Sequence, residues 1–158
     1  MKILERIARV CSILGGLIMV ALMIMTCYSL IGRNFLDRPL IGDFELTAIG
    51  CGVAIALFMP ICQLHRENII VDFFTAKMSE GVNDGLDRFG FLLMALIYGV
   101  VSWRAFVGAR SAYEGMGASM LLGFPDWIVY TGIAVPMLIA GIVALTQLVS
   151  KHKQEVAA

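Results

Sequence analysis

Three stretches of the sequence, Val10–Gly32, Leu46–Leu64 and Trp127–Ser150, contain no Asp, Glu, Lys, Arg or His. As helices rising about 1.5 Å per residue they reach roughly 34, 28 and 36 Å, enough to cross a hydrocarbon core of about 30 Å. A fourth stretch, Phe89–Trp103, reaches only about 22 Å, but it continues past Arg104 to Ala109, and the whole then reaches roughly 31 Å. The expected fold is therefore an all-α integral membrane protein with four transmembrane helices, at 10–32, 46–64, 89–109 and 127–150. Composition agrees: 59% of the 158 residues are hydrophobic and 15% charged, and the mean hydropathy is +0.86. A soluble domain of this length needs more polar surface than that. One membrane domain over 1–158 is expected, with the first span retained as a signal anchor because its apolar run exceeds that of a cleaved leader.

Lys and Arg are retained on the cytoplasmic side. Lys2, Arg6 and Arg9 precede the first span, Arg66, Lys77 and Arg88 lie between the second and third, and Lys151 and Lys153 follow the fourth. The other side holds Arg33, Arg38, Arg104 and Arg110, offset by Asp37, Asp43, Glu45, Glu114 and Asp126. Both termini are thus expected inside. Trp103, Trp127 and Tyr130 then fall in one outer interfacial belt.

The polar segments carry helical periodicity of their own. Ile3, Leu4, Ile7 and Ala8 share a face opposite Lys2, Glu5, Arg6 and Arg9, as in an interfacial helix leading into the first span. Between spans two and three, Ile69, Ile70, Phe73, Phe74 and Met78 oppose Asp72, Thr75 and Lys77. This pattern predicts an amphipathic surface helix at about 67–80, ended near Gly81 and followed by a turn at Asn83, Asp84 and Gly85. Each of the two can serve as lipid anchor or as partner interface. In the first outer loop, Arg38-Pro39 and Gly42 stop the first helix, and Asp43 is the expected N-cap of the second. Gly123-Phe124-Pro125-Asp126 turns the chain into the fourth span.

Several function classes lose their footing here. Spans one, two and four lack the mid-membrane ionisable group that a proton relay or ion-coupled carrier uses. The only histidines, His65 and His152, sit at span ends, which disfavours a buried haem. Cys11, Cys27, Cys51 and Cys62 form no C-x-x-C pair and read as packing residues. Hydrolase, zinc-protease and phosphate-loop motifs are absent, so no enzyme is expected. The charge balance, twelve Lys+Arg against twelve Asp+Glu, offers nucleic acid no basic field.

Small residues repeat every four positions in span two, at Ala48, Gly52 and Ala56, and in span four, at Gly132, Pro136, Ala140 and Ala144. Such faces let helices approach closely in lipid, within one subunit or between two. Pro60 and Pro136 each remove a backbone donor and are expected to kink their helices. Arg104 lies near the outer end of span three, either snorkelling to the headgroups or pairing with a partner.

In order along the chain come Arg33-x-x-x-x-Arg38-Pro39-Leu40, Gly42-x-x-Glu45-Leu46, Arg66-Glu67-Asn68-Ile69-x-Val71-Asp72 and Pro125-x-Trp127-x-x-Tyr130, with Pro136 following. This succession resembles the small permease subunit of TRAP, or tripartite ATP-independent periplasmic, transporters over nearly the whole chain. It departs from the family's usual pattern at Asn68-Ile69, Phe73-Phe74 and Asn34. The resemblance implies a non-enzymatic subunit in the bacterial inner membrane, beside a large permease subunit and a periplasmic substrate-binding protein. It also implies uptake of an organic acid coupled to sodium, with sodium and substrate held by the large subunit and no cofactor in this one. Candidate polar contacts are Arg33, Asp43, Glu45 and Arg104 on the outer side and Arg66, Glu67 and Asp72 in the inner loop. The rival expectations are a self-sufficient homo-oligomeric carrier or channel, and the membrane anchor of a redox enzyme.

Overall fold

The computed structural model describes residues 2–35, 40–65 and 80–149, and it forms four helices: α1 (Lys2–Phe35), α2 (Asp43–Leu64), α3 (Glu80–Glu114) and α4 (Asp126–Val149). All four are long and apolar enough to cross a membrane. Without water in the bilayer core, a chain must satisfy its backbone within each span, and a helix does so locally. Glu67 and the expected surface helix lie outside the described residues, apart from Glu80, where α3 begins.

α1 runs unbroken from Lys2, so the first residues lead into the span as part of one continuous helix. The expected turn at Asn83, Asp84 and Gly85 is corrected: these residues are part of α3. Once a long apolar helix is nucleated, each added residue gains a hydrogen bond, which outweighs the roughly 1 kcal/mol that a glycine costs. Pro60 and Pro136 are both buried inside continuous helices.

The helices do not close into a bundle. They lie in a row in the order α1, α2, α4, α3, with only slight contact between α1 and α4. The connection through 66–79 therefore links two helices that are not neighbours. α1 and α2 are antiparallel: Gly15 packs on the Ala54 carbonyl and Leu57, and Gly50 on Leu22. α2 and α4 run parallel, with Gly132 on Val53 at the middle of α2 and Gln147 on Gln63 in its last turn. α4 and α3 are antiparallel, joined by Gly141 on Tyr98, Gly108 on Tyr130 and a hydrogen bond of 3.0 Å from Ser102 Oγ to the Ala134 carbonyl.

Small side chains fill these seams: Ala54, Ala56, Ala134, Ala140, Val143 and Ala144 are almost fully buried. The large ones point outward, among them Leu17, Met23, Ile24, Leu96 and Trp103. Lipid tails are as apolar as leucine, so close backbone approach and hydrogen bonds join the helices instead of apolar burial.

Candidate functional site

Polar side chains collect at the two opposite ends of the helices. At the end where α2 begins, the N-cap is Gly42, not the expected Asp43. Gly42 has φ 83°, and a Cβ there would stand 2.7 Å from Leu122 Cγ, so both conformation and space favour glycine. Asp43, one residue further in, accepts a hydrogen bond from Ser29 Oγ at 2.6 Å and one from the Phe44 amide at 2.8 Å. Arg33 approaches the same carboxylate at 3.5 Å, and its guanidinium lies 5.6 Å from the centre of the Phe44 ring. A carboxylate at a helix N-terminus is favoured by the dipole, and here it also ties α2 to α1.

Glu45 reaches across the row. Its carboxylate accepts the Leu121 amide at 3.1 and 3.3 Å and the Leu122 amide at 3.2 Å. Successive backbone N–H groups converging on an anion form a nest. The loop from 115 to 125 that supplies them is itself tightly bonded: Ser119 N to Phe124 O at 2.9 Å, Gly123 N to Ser119 O at 3.1 Å, and Asp126 N to Gly117 O at 3.1 Å. Tyr113 and Trp127, at the ends of the flanking helices, meet edge to face with ring centres 6.0 Å apart.

At the opposite end, Gln63 Nε2 donates to Gln147 Oε1 at 2.9 Å. Gln147 Nε2 in turn donates to the carbonyls of Gln63 and Leu64, at 2.9 and 3.1 Å. These carbonyls lie in the last turn of α2, where a helix has no acceptor partners of its own. Neither glutamine carries a charge to mark it in the sequence; two amides in otherwise apolar spans are the available signal.

The structure thus brings Arg33, Asp43 and Glu45 to one end. Arg104 is exposed on α3, and with Ser111 and Tyr130 it lines a groove between α3 and α4. It makes no hydrogen bond or ion pair among the described residues. Arg66, Glu67 and Asp72 lie outside those residues. Of the small-residue positions, Ala56, Pro136 and Ala140 are buried within the chain and Gly132 meets Val53. Ala48 is exposed, and a Cβ on Gly52 would meet nothing within 4 Å.

A row of four apolar helices, joined by small-residue seams and tied near both helix ends by polar contacts, defines a multi-pass α-helical membrane protein. The family model described as "Tripartite ATP-independent periplasmic transporters, DctQ component" matches residues 22–154, and the chain belongs to that family. It is accordingly a small membrane subunit of a TRAP transporter. No curated protein and no solved structure matches it.

Proposed function

We propose that this chain is the scaffold of its transporter: a static slab in the bacterial inner membrane against which a large permease subunit is anchored. That larger subunit carries sodium and an organic acid, of the dicarboxylate or sugar acid class, delivered by a periplasmic binding protein. The observation that carries the reading is the row itself. Its seams are filled by direct contact, as where Gly15 meets Ala54 and Leu57 or Gly141 meets Tyr98. Its broad apolar faces are left open for lipid or for another membrane protein. Carriers that move solute themselves usually place charge or unwound backbone at the midplane, whereas three of the four spans here carry no charge and the third carries Arg104 toward its outer end. In this reading both termini are cytoplasmic, and Asp43, Glu45 and the 115–125 loop lie on the periplasmic side of the membrane.

Reconstitution tests it. Vesicles holding this chain alone take up neither radioactive sodium nor a radiolabelled dicarboxylate or sugar acid. Vesicles that also hold the larger membrane protein, and receive the loaded binding protein, take up both. Uptake by the chain alone would overturn the proposal in favour of a homo-oligomeric carrier.

A further inference from the structure

The loop between α3 and α4 is unusual for a connection that leaves a membrane. From Gly115 to Pro125 it contains no charged residue, and it includes Met116, Met120, Leu121, Leu122 and Phe124. Met116 is 90% exposed, Met120 98% and Leu121 63%. Loops in water are ordinarily polar, and an exposed apolar cluster marks an interaction surface.

Its depth is set by Glu45. That carboxylate holds the Leu121 and Leu122 amides, and the next residue, Leu46, opens the charge-free run of α2. The loop backbone is thereby fastened at the edge of the apolar slab, within about one helical turn, roughly 5 Å, of where hydrocarbon begins. The Tyr113–Trp127 pair flanks it at the same level, and such rings favour the headgroup region. Its hydrogen bonding also suits a poorly hydrated place. The amides of Gly117, Ser119, Leu121, Leu122, Gly123 and Phe124 all have acceptors inside the chain, so they enter the interface already paired.

We infer that this loop is a membrane-inserted wedge: Met120 and Leu121 dip into the headgroup–acyl boundary of the leaflet at the Glu45 end, and Glu45 locks the shape that presents them. The partner is the lipid surface. The inference rests on the membrane reading and is independent of what the large subunit carries.

The test uses the full chain with its four cysteines replaced by alanine, an environment-sensitive thiol probe at Met120→Cys or, separately, Leu121→Cys, and vesicles of phosphatidylethanolamine and phosphatidylglycerol. Some lipids are brominated near the headgroup end of the acyl chain. Leu96→Cys on the exposed face of α3 gives the fully embedded reference, and Gln154→Cys the aqueous one. Circular dichroism screens each variant for folding. The loop probes should show at least about half the quenching of the Leu96 probe, as an apolar element lying some 5–10 Å into the interface would. They should show it both alone and in the complex with the larger membrane protein. Quenching no greater than at Gln154 would overturn the inference, and so would quenching lost in the complex, since the loop would then be a protein-docking surface. Recovery of the larger protein is scored separately, so the scaffold reading and the wedge fail independently.

Discussion

Gln147→Leu is the sharpest probe of how the row holds together. The substitution keeps most of the side-chain volume while removing three interhelical hydrogen bonds: the one Gln147 accepts from Gln63, and the two it donates to the carbonyls of Gln63 and Leu64. Interhelical hydrogen bonds in membranes contribute about 0.6 kcal/mol each on average, which gives a loss of about 2 kcal/mol. Gln63 is 1% exposed and Gln147 6%. Water therefore cannot readily replace the lost partners, and the upper bound rises to about 3 kcal/mol. Reversible unfolding in mixed detergent micelles, titrated with dodecyl sulfate, reads this difference. Leu145→Ala, on the exposed face of the same helix, is the control and should shift stability by no more than about 0.5 kcal/mol. The double variant Gln63→Leu/Gln147→Leu should lose less than the sum of the two single losses, because the shared bond is counted in both. A Gln147→Leu protein as stable as the control would refute the Gln63–Gln147 contact between α2 and α4.

Adjacent glycines on α1 offer a second test. A Cβ on Gly15 would lie 3.2 Å from both the Ala54 carbonyl and Leu57 Cβ, while one on Gly16 would meet nothing within 4 Å. Both gain helix propensity when replaced, so Gly15→Leu should be less stable than Gly16→Leu by about 1–3 kcal/mol, the usual range for overpacking, in the same titration. Glu45→Ala should speed hydrogen exchange at the Leu121 and Leu122 amides, read by mass spectrometry, and Glu114→Ala should leave them unchanged. Charge reversal, Glu45→Arg, should reduce complex formation or uptake more than Glu155→Arg, and equal effects would count against a role for Glu45. In intact cells, a membrane-impermeant thiol reagent should label Asn34→Cys and should reach His152→Cys only after permeabilisation; the opposite pattern would invert the orientation.

The helices were readable because charge is excluded from hydrocarbon, and four gaps in the charge pattern are hard to arrange otherwise. Their ends were not. Hydropathy marks where charge begins, whereas the backbone ladder continues through charged residues, so α1 starts at Lys2 and α3 at Glu80. Neighbour order was hidden for a related reason. Gly15, Gly50 and Gly52 are equivalent in sequence, yet Gly15 and Gly50 meet another helix and Gly52 meets nothing. Glu45 stood out as a polar residue at a span boundary, but its partners are backbone amides, which have no signature in side-chain chemistry. The same holds for Gly42, whose left-handed conformation takes the capping position expected of Asp43.

The scaffold proposal is tested most directly by the mass of the particle in which this chain occurs. Extraction of native membranes in mild detergent, followed by native mass spectrometry of the tagged 17.2 kDa chain, should recover it bound to a polytopic membrane protein of much greater size. Recovery only as multiples of its own mass would contradict the account and return the chain to the class of self-sufficient homo-oligomeric carriers.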